Sequence, residues 1–271
     1  MHTTSSDGVL APRELVDLAV QSGVTIMAIT DHDTLQGADS LQGVPTDIPV
    51  LVGTELSLRD MKGLHLLGYT LGDAPEMRQV LDELADQRLH RARHMVEKLT
   101  ALGMPLDYDE MREKCGGTVG RMHIARAMLE KGYIQHTQQA FDRWIGDDGP
   151  AYVAGERLCM AEALPLMRRN GFVPVLAHPA ELEKDDRTLC ILLESWQKQG
   201  LMGVEVYHPS QHGRGYARLE AMARRMNLLV TGGSDFHAPA DGRHGEPGST
   251  SVHWAQVEED VHRLMDALRH A

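Results

Sequence analysis

The chain has 271 residues, 42% hydrophobic and 24% charged, which suits one large globular domain or one domain carrying a smaller insertion. No apolar run approaches the roughly 20 residues a membrane helix needs and no signal-peptide pattern opens the chain, so a soluble, cytoplasmic protein with no membrane partner is expected. The net charge of −12 argues against duplex DNA as a partner, while leaving room for a short nucleotide held by local cations.

Pro12 opens a helix that runs to about Ser22, with Leu15, Leu18 and Ala19 on one face and Gly23 as its stop. Residues 24–30 then read as a buried parallel strand ending in Asp31-His32-Asp33. A short run, Val50-Leu-Val52, precedes Gly53-Thr-Glu55, and residues 64–69 form another β run containing His65. From Pro75 to Gly155 the β signal disappears. Residues 76–102 are helical, and 107–146 continue as short helices with turns at Gly116-Gly117 and Gly132. The β pattern returns at 172–177, which runs into His178-Pro179. It recurs at 203–207, which runs into His208-Pro209, and at 228–231, which leads to Asp235-Phe-His237. Helical stretches near 187–199 and 215–226 separate these runs. Strand and helix alternating in this way predict a parallel α/β sheet or barrel from residues 1–74 and 156–271, with 75–155 as a helical insertion.

Fifteen histidines stand out against three cysteines, Cys115, Cys159 and Cys190, which form no C-x-x-C pair and read as small buried residues of a reducing compartment. Active sites of α/β barrels are built at the ends of strands. Here five β runs contain or run into an imidazole or carboxylate ligand: His32, His65, His178, His208 and the Asp235/His237 pair. Glu55 follows a sixth run, and the opening segment adds His2 and Asp7. Mixed imidazole and carboxylate ligation suits manganese, iron or zinc, and a carboxylate such as Glu55 can bridge two ions. His90 and His94 read as a solvated helix face, and His136, His212, His244, His253, His262 and His270 as ordinary surface residues.

In order along the chain stand His2…Asp7-Gly8, Thr30-Asp31-His32-Asp33-Thr34, Gly53-Thr-Glu55 and His65-Leu-Leu-Gly68-Tyr69. They are followed by Ala177-His178-Pro179, Glu205-Val-Tyr-His208-Pro209 and Gly233-Ser-Asp235-Phe-His237. Together these resemble the polymerase-and-histidinol-phosphatase (PHP) family of metal-dependent phosphoesterases. Within 75–155, the stretches Val119-Gly-Arg121-Met-His123-Ile-Ala-Arg126, Lys131-Gly-Tyr133 and Ala140-Phe-Asp142 are similar to one branch. That branch removes the 3′-phosphate from nucleoside 3′,5′-bisphosphates, and some members trim RNA from the 5′ end.

The resemblance implies a distorted (β/α)7 TIM-like barrel holding three divalent ions, manganese first, with iron or zinc as alternatives. His2, Glu55 and Asp235 would hold one ion, Glu55, His65 and His178 a second, and Asp7, His32 and His237 a third. His208 would stand beside the substrate as an outer ligand or proton donor, with Glu55 and Asp235 also counted as catalytic. Arg121, His123, Arg126 and Lys131 would reach a second phosphate. Family members open on a strand carrying His-x-His, and His2 matches its second histidine. Met1 is therefore expected to be an internal methionine, with the first barrel strand truncated. The substrate would be a small nucleotide or a short RNA 5′ end, with no obligate protein partner. The alternatives are a histidinol-phosphate-type phosphatase and a catalytically degraded metal-binding module.

Overall fold

The computed structural model describes residues 1–115, 119–182, 184–211, 214–240, 244–250 and 254–271. The expected turn at Gly116-Gly117, His212 and His253 lie outside the described residues. Helix α1 (Pro12–Gln21) leads into strand β1 (Met27–Ile29), and a single turn, α2 (Gln36–Asp39), precedes β2 (Val50–Ser57) and β3 (His65–Thr70). Four helices follow: α3 (Pro75–Ala101), α4 (Tyr108–Cys115), α5 (Arg121–Glu130) and α6 (Thr137–Ala140), the last continuing as a wide helical turn, Phe141–Ile145. The chain then alternates: α7 (Met160–Arg169), β4 (Val173–Leu176), α8 (Asp186–Gln199), β5 (Gly203–Tyr207), α9 (Arg214–Arg225), β6 (Leu229–Gly232) and α10 (Trp254–Arg269).

The six strands of the described residues form one curled sheet in the order β1-β2-β3-β4-β5-β6. β4 and β5 are buried along their whole length, as the unbroken apolar runs require of strands covered on both faces. The expectation of an all-parallel sheet is corrected at β3. It runs antiparallel to both β2 and β4, pairing Ser57 with His65 and Leu66 with Leu176. The loop between β2 and β3 is short enough for a hairpin, whereas a parallel return needs a crossover of a dozen residues or more. His65 consequently sits at the start of its strand, yet at the same rim as the ends of the other five. Glu55 is likewise inside β2 and not beyond its end.

Local signals fit the observed boundaries. Asp185 caps α8 by accepting from Thr188 N at 3.0 Å, and Gly200 closes that helix with φ of 119°, a left-handed conformation that costs glycine little. The main core packs α7, α8 and α9 onto the outer face of the sheet, around Phe172, Met167 and Leu193, all fully buried. Each such side chain contributes about 2 kcal/mol by leaving water. The helical segment has a second core of its own, where Met95 and Leu99 of α3 meet Ile124 and Met128 of α5. The first turns of α3, through Met77 and Leu81, belong to the main core, so this one helix joins the two.

β1 and β6 are the two edges of the sheet. Between them runs a slot of about 440 Å³, lined by Ile26 and Ala28 on one side, Val230 and Thr231 on the other, with Val261 and Leu264 of α10 behind. Met1 and His2 cross its end: Thr30 N donates to Met1 O at 3.0 Å and His2 N to Phe236 O at 2.9 Å. Among the described residues no helix is long and apolar enough to cross a membrane.

Candidate metal centre

The ligand candidates converge at one rim of the sheet because six of them stand within, at the start of or just after its strands, and the opening segment carries His2 and Asp7 across the same rim. Glu55, 2% exposed, is the hub. Its Oε1 faces His65 Nδ1 at 2.7 Å and His178 Nε2 at 3.0 Å, and its Oε2 faces His2 Nε2 at 3.1 Å. His2 Nε2 also lies 3.0 Å from Asp235 Oδ1. On the other side, His237 Nε2 lies 3.3 Å from Asp7 Oδ1, with the His2 ring stacked on His237 at 4.1 Å and tilted over His32 at 4.4 Å. All eight predicted ligands are thus brought together.

Buried carboxylates fix the backbone that carries these ligands. Asp31, 1% exposed, accepts from Thr3 N at 2.7 Å, Thr3 Oγ1 at 2.7 Å and Ser6 Oγ at 2.5 Å, clamping the opening segment that bears His2 and Asp7. A side chain at Gly37 would put Cβ 2.0 Å from Asp31 Oδ2, so only glycine leaves room for this clamp. Asp33 Oδ1 accepts from Ser57 N at 2.9 Å, tying the end of β1 to β2. Glu205 Oε2 accepts from His178 N at 2.9 Å, and burial pushes the Glu205 carboxyl up. His178, Asp33 and Asp235 all have positive φ (25°, 52° and 52°), a strain of about 1–3 kcal/mol each that surrounding bonds must hold.

The electrostatics are those of a cation site. Burial works against ionising Glu55, Asp7 and Asp235, but the surrounding imidazoles overcome it and hold all three well below the usual carboxylate range. Burial also opposes charging His2 and His178, yet hydrogen bonds to Asp235 and Glu55 raise His2 to about 10, and Glu55 raises His178 to about 10. Burial dominates at His32, lowering it to about 4. His2 Nδ1, Asp7 Oδ1, His32 Nδ1 and His178 Nδ1 are buried without a hydrogen-bond partner among the described residues. Such orphaned atoms are costly unless something else satisfies them. Donor atoms of His2, Asp7, His32 and His237 lie within 4.8 Å of one another, as do those of His2, Glu55 and Asp235, and those of His32, Glu55 and His65. This mixed nitrogen and oxygen donor set fits divalent transition metals.

His208 stands just outside that set. Ser210 N donates to its Nδ1 at 3.1 Å, so a neutral ring carries its proton on Nε2. That Nε2 is buried, has no hydrogen-bond partner among the described residues and points toward Asp235 Oδ2 at 3.9 Å.

Several residues at the site were not expected from sequence. His244, read as a surface residue, has its Nε2 3.6 Å from Asp235 Oδ2 and its ring 4.2 Å from that of His237. The loop after β6 folds back, with Gly245 N donating to Ser234 O at 2.8 Å, and no local pattern announces that return. The other histidines read as surface residues, His90, His94, His136, His262 and His270, are exposed.

A cavity of about 700 Å³ opens from Asp7, His32 and His65 and is walled by Arg88, Arg91, Arg121 and Arg157. Arg91 and Arg121 both approach the Tyr152 ring, at 5.6 and 5.9 Å. Burial, then repulsion from Arg121 and Arg157, lowers Arg91 to about 10, and Arg157 is lowered by burial and by Arg121. Of the predicted phosphate contacts, Arg121 and His123 line this cavity. Arg126 instead donates to Asp7 O at 3.2 Å, and Lys131 is exposed at the end of α5, off the cavity lining.

No family model matches the chain. A 5′-3′ exoribonuclease of Haemophilus influenzae is 30% identical over 242 residues, covering 88% of this chain and 88% of the relative. A 3′,5′-nucleoside bisphosphate phosphatase of Chromobacterium violaceum is 28% identical over 277 residues, covering 98% and 97%. Among solved structures, an amidohydrolase of Chromobacterium violaceum with bound sulfate superposes with a TM-score of 0.79 at 27% identity, covering 96% of this chain and 94% of that one. A structure from Bifidobacterium adolescentis, assigned as a metal-dependent phosphoesterase, gives 0.82 at 27% identity, covering 98% and 94%. With a metal-ligand rim of this composition and a relative this similar along most of its length, the chain belongs to the PHP family of metal-dependent phosphoesterases.

Proposed function

We propose that this phosphoesterase removes the 3′-phosphate of nucleoside 3′,5′-bisphosphates, leaving the nucleoside 5′-monophosphate, in the cytoplasm. The observation that carries the reading is the single cavity joining Asp7, His32 and His65 to Arg91, Arg121 and Arg157. A substrate with two phosphates, one at each end, matches both walls. Arginine is the side chain suited to the far one, since its guanidinium offers paired donors to phosphate oxygens.

Three divalent ions are proposed: one on His2, Glu55 and Asp235, one on Glu55, His65 and His178, and one on Asp7, His32 and His237, with Mn²⁺ ahead of iron or zinc. Bound there, they neutralise phosphate charge and acidify water. The chain's own contributions are orientation and a proton. His208 delivers the proton on its Nε2 to the leaving 3′-oxygen. His123 and the arginines hold the second phosphate, and Phe141, over which Arg121 lies at 5.7 Å, adds an apolar side to the same wall. The 5′ end of a short single-stranded RNA presents the same chemistry, and the exoribonuclease relative supports that second reading. The chain's net charge of −12 disfavours a longer one.

The test is Mn²⁺-dependent phosphate release from adenosine 3′,5′-bisphosphate, followed by chromatography of the nucleotide. Phosphate and 5′-AMP are expected. A higher kcat/KM for histidinol phosphate would move the assignment to a small amino-alcohol phosphate. Absence of both turnover and bound metal would make this a degraded module.

The fold behind this reading is a distorted seven-stranded barrel of residues 1–74 and 156–271, roofed by an insertion of residues 75–155. The slot of about 440 Å³ between β1 and β6 supports a further strand closing the barrel there.

A further inference from the structure

Two arginines of the helical segment reach past the cavity to the backbone of the metal rim. Arg88, on α3, donates Nη1 to His32 O at 3.2 Å and pairs through Nη2 with Asp33 Oδ2. Arg126, on α5, donates Nη2 to Asp7 O at 3.2 Å. Neither side chain is a ligand. Both carbonyls, however, belong to residues of one ligand set, Asp7 and His32, whose third member is His237.

We propose that Arg88 and Arg126 are positioning residues that hold the Asp7–His32–His237 ion site from the helical segment. The inference rests on the three-ion reading above, and it makes that one site depend on how α3 and α5 are seated. Three features carry it. Asp33, with φ of 52°, sits in a conformation L-residues seldom adopt, so the backbone leaving His32 needs an external restraint. Besides the backbone bond from Asp33 N to Glu55 O at 3.0 Å, the Asp33 carboxylate meets Ser57 N from β2 and Arg88 from α3, and the strained turn is held between them. Asp7 lies at the end of a loop whose near half is clamped by Asp31 and whose far end is met by Arg126. Of the other five ligands, Glu55, His65 and His178 stand on or at the ends of paired strands and are placed by the sheet itself. Groups that orient metal ligands by hydrogen bonds typically govern affinity without touching the ion.

The division predicts a selective loss. In full-length R88Q and R126Q proteins titrated with Mn²⁺ under chelator competition, one ion per chain is expected to weaken by about 10- to 100-fold, with the other sites unchanged. R126K, which keeps a donor, should recover most of that affinity. R93Q, an exposed α3 arginine that packs on Tyr108, should behave as wild type. The same variants are examined without metal by hydrogen exchange. Faster exchange confined to residues 3–9 and 31–35 is expected, at unchanged exchange in β2–β5. Identical titrations and exchange in all variants would overturn the latch. So would uniform weakening of every ion together with a lowered Tm, because the arginines would then serve only general stability. A wild-type chain that binds no Mn²⁺ would overturn the three-ion reading, and the exchange experiment would still decide the latch by itself.

Discussion

Replacing Glu55 by glutamine is expected to lower kcat/KM for adenosine 3′,5′-bisphosphate by at least about 1,000-fold while leaving the fold in place. Glu55 is the one side chain shared by two of the three proposed ligand sets. Its Oε1 serves His65 and His178, and its Oε2 serves His2. Glutamine has the same shape but only one acceptor atom and no charge, so it cannot bridge two cations. The substitution removes a negative charge that is 2% exposed, and it leaves the apolar core around Phe172 and Leu193 untouched. Far-ultraviolet circular dichroism should therefore be unchanged, and metal analysis should show two ions fewer per chain. Activity within tenfold of wild type would sink Glu55 as the bridge, and with it the arrangement of the whole rim.

The convergence of the candidate residues was legible because a buried strand is an unbroken apolar run, and a His or Asp at its end is conspicuous. His178, His208 and Asp235 are all of this kind. What stayed hidden depended on distance or direction. Hydrophobic alternation carries no strand polarity, so the reversed β3, with His65 at its start, read the same as a parallel strand. Asp31 and Glu205 look like any acidic residue in sequence. They are decisive only because Thr3 N and His178 N, 28 and 27 residues away, point at them. His244 entered the site through one loop-closing bond to Ser234. The same holds for the arginine wall. Arg121 was marked by its motif, but Arg91 and Arg157 come from α3 and from the loop before α7, and only the second core brings them to one cavity.

That wall supplies the second large expected effect. R157A should lower kcat/KM for adenosine 3′,5′-bisphosphate by about 100-fold, the loss that follows from one charge-assisted bond to phosphate worth about 1.5–3 kcal/mol. p-Nitrophenyl phosphate, which has a single phosphate and no group to reach the far wall, should be hydrolysed at nearly the wild-type rate. Stability should move the other way. Burial first, and then repulsion from Arg121 and Arg157, lowers Arg91 to about 10. Removing one guanidinium relieves that repulsion, so the variant should melt no lower than wild type in the absence of ligand. Crowding like charges costs stability, and beyond the pairing of Arg121 with Asp147 at 2.9 Å, an anion between the three would offset the remaining repulsion. Inorganic phosphate should accordingly raise the Tm of the wild-type protein and do so much less for R157A. Equal losses on both substrates would mean that Arg157 acts at the metal rim or on the fold, and the case for a doubly phosphorylated substrate would then rest on Arg91 and Arg121 alone.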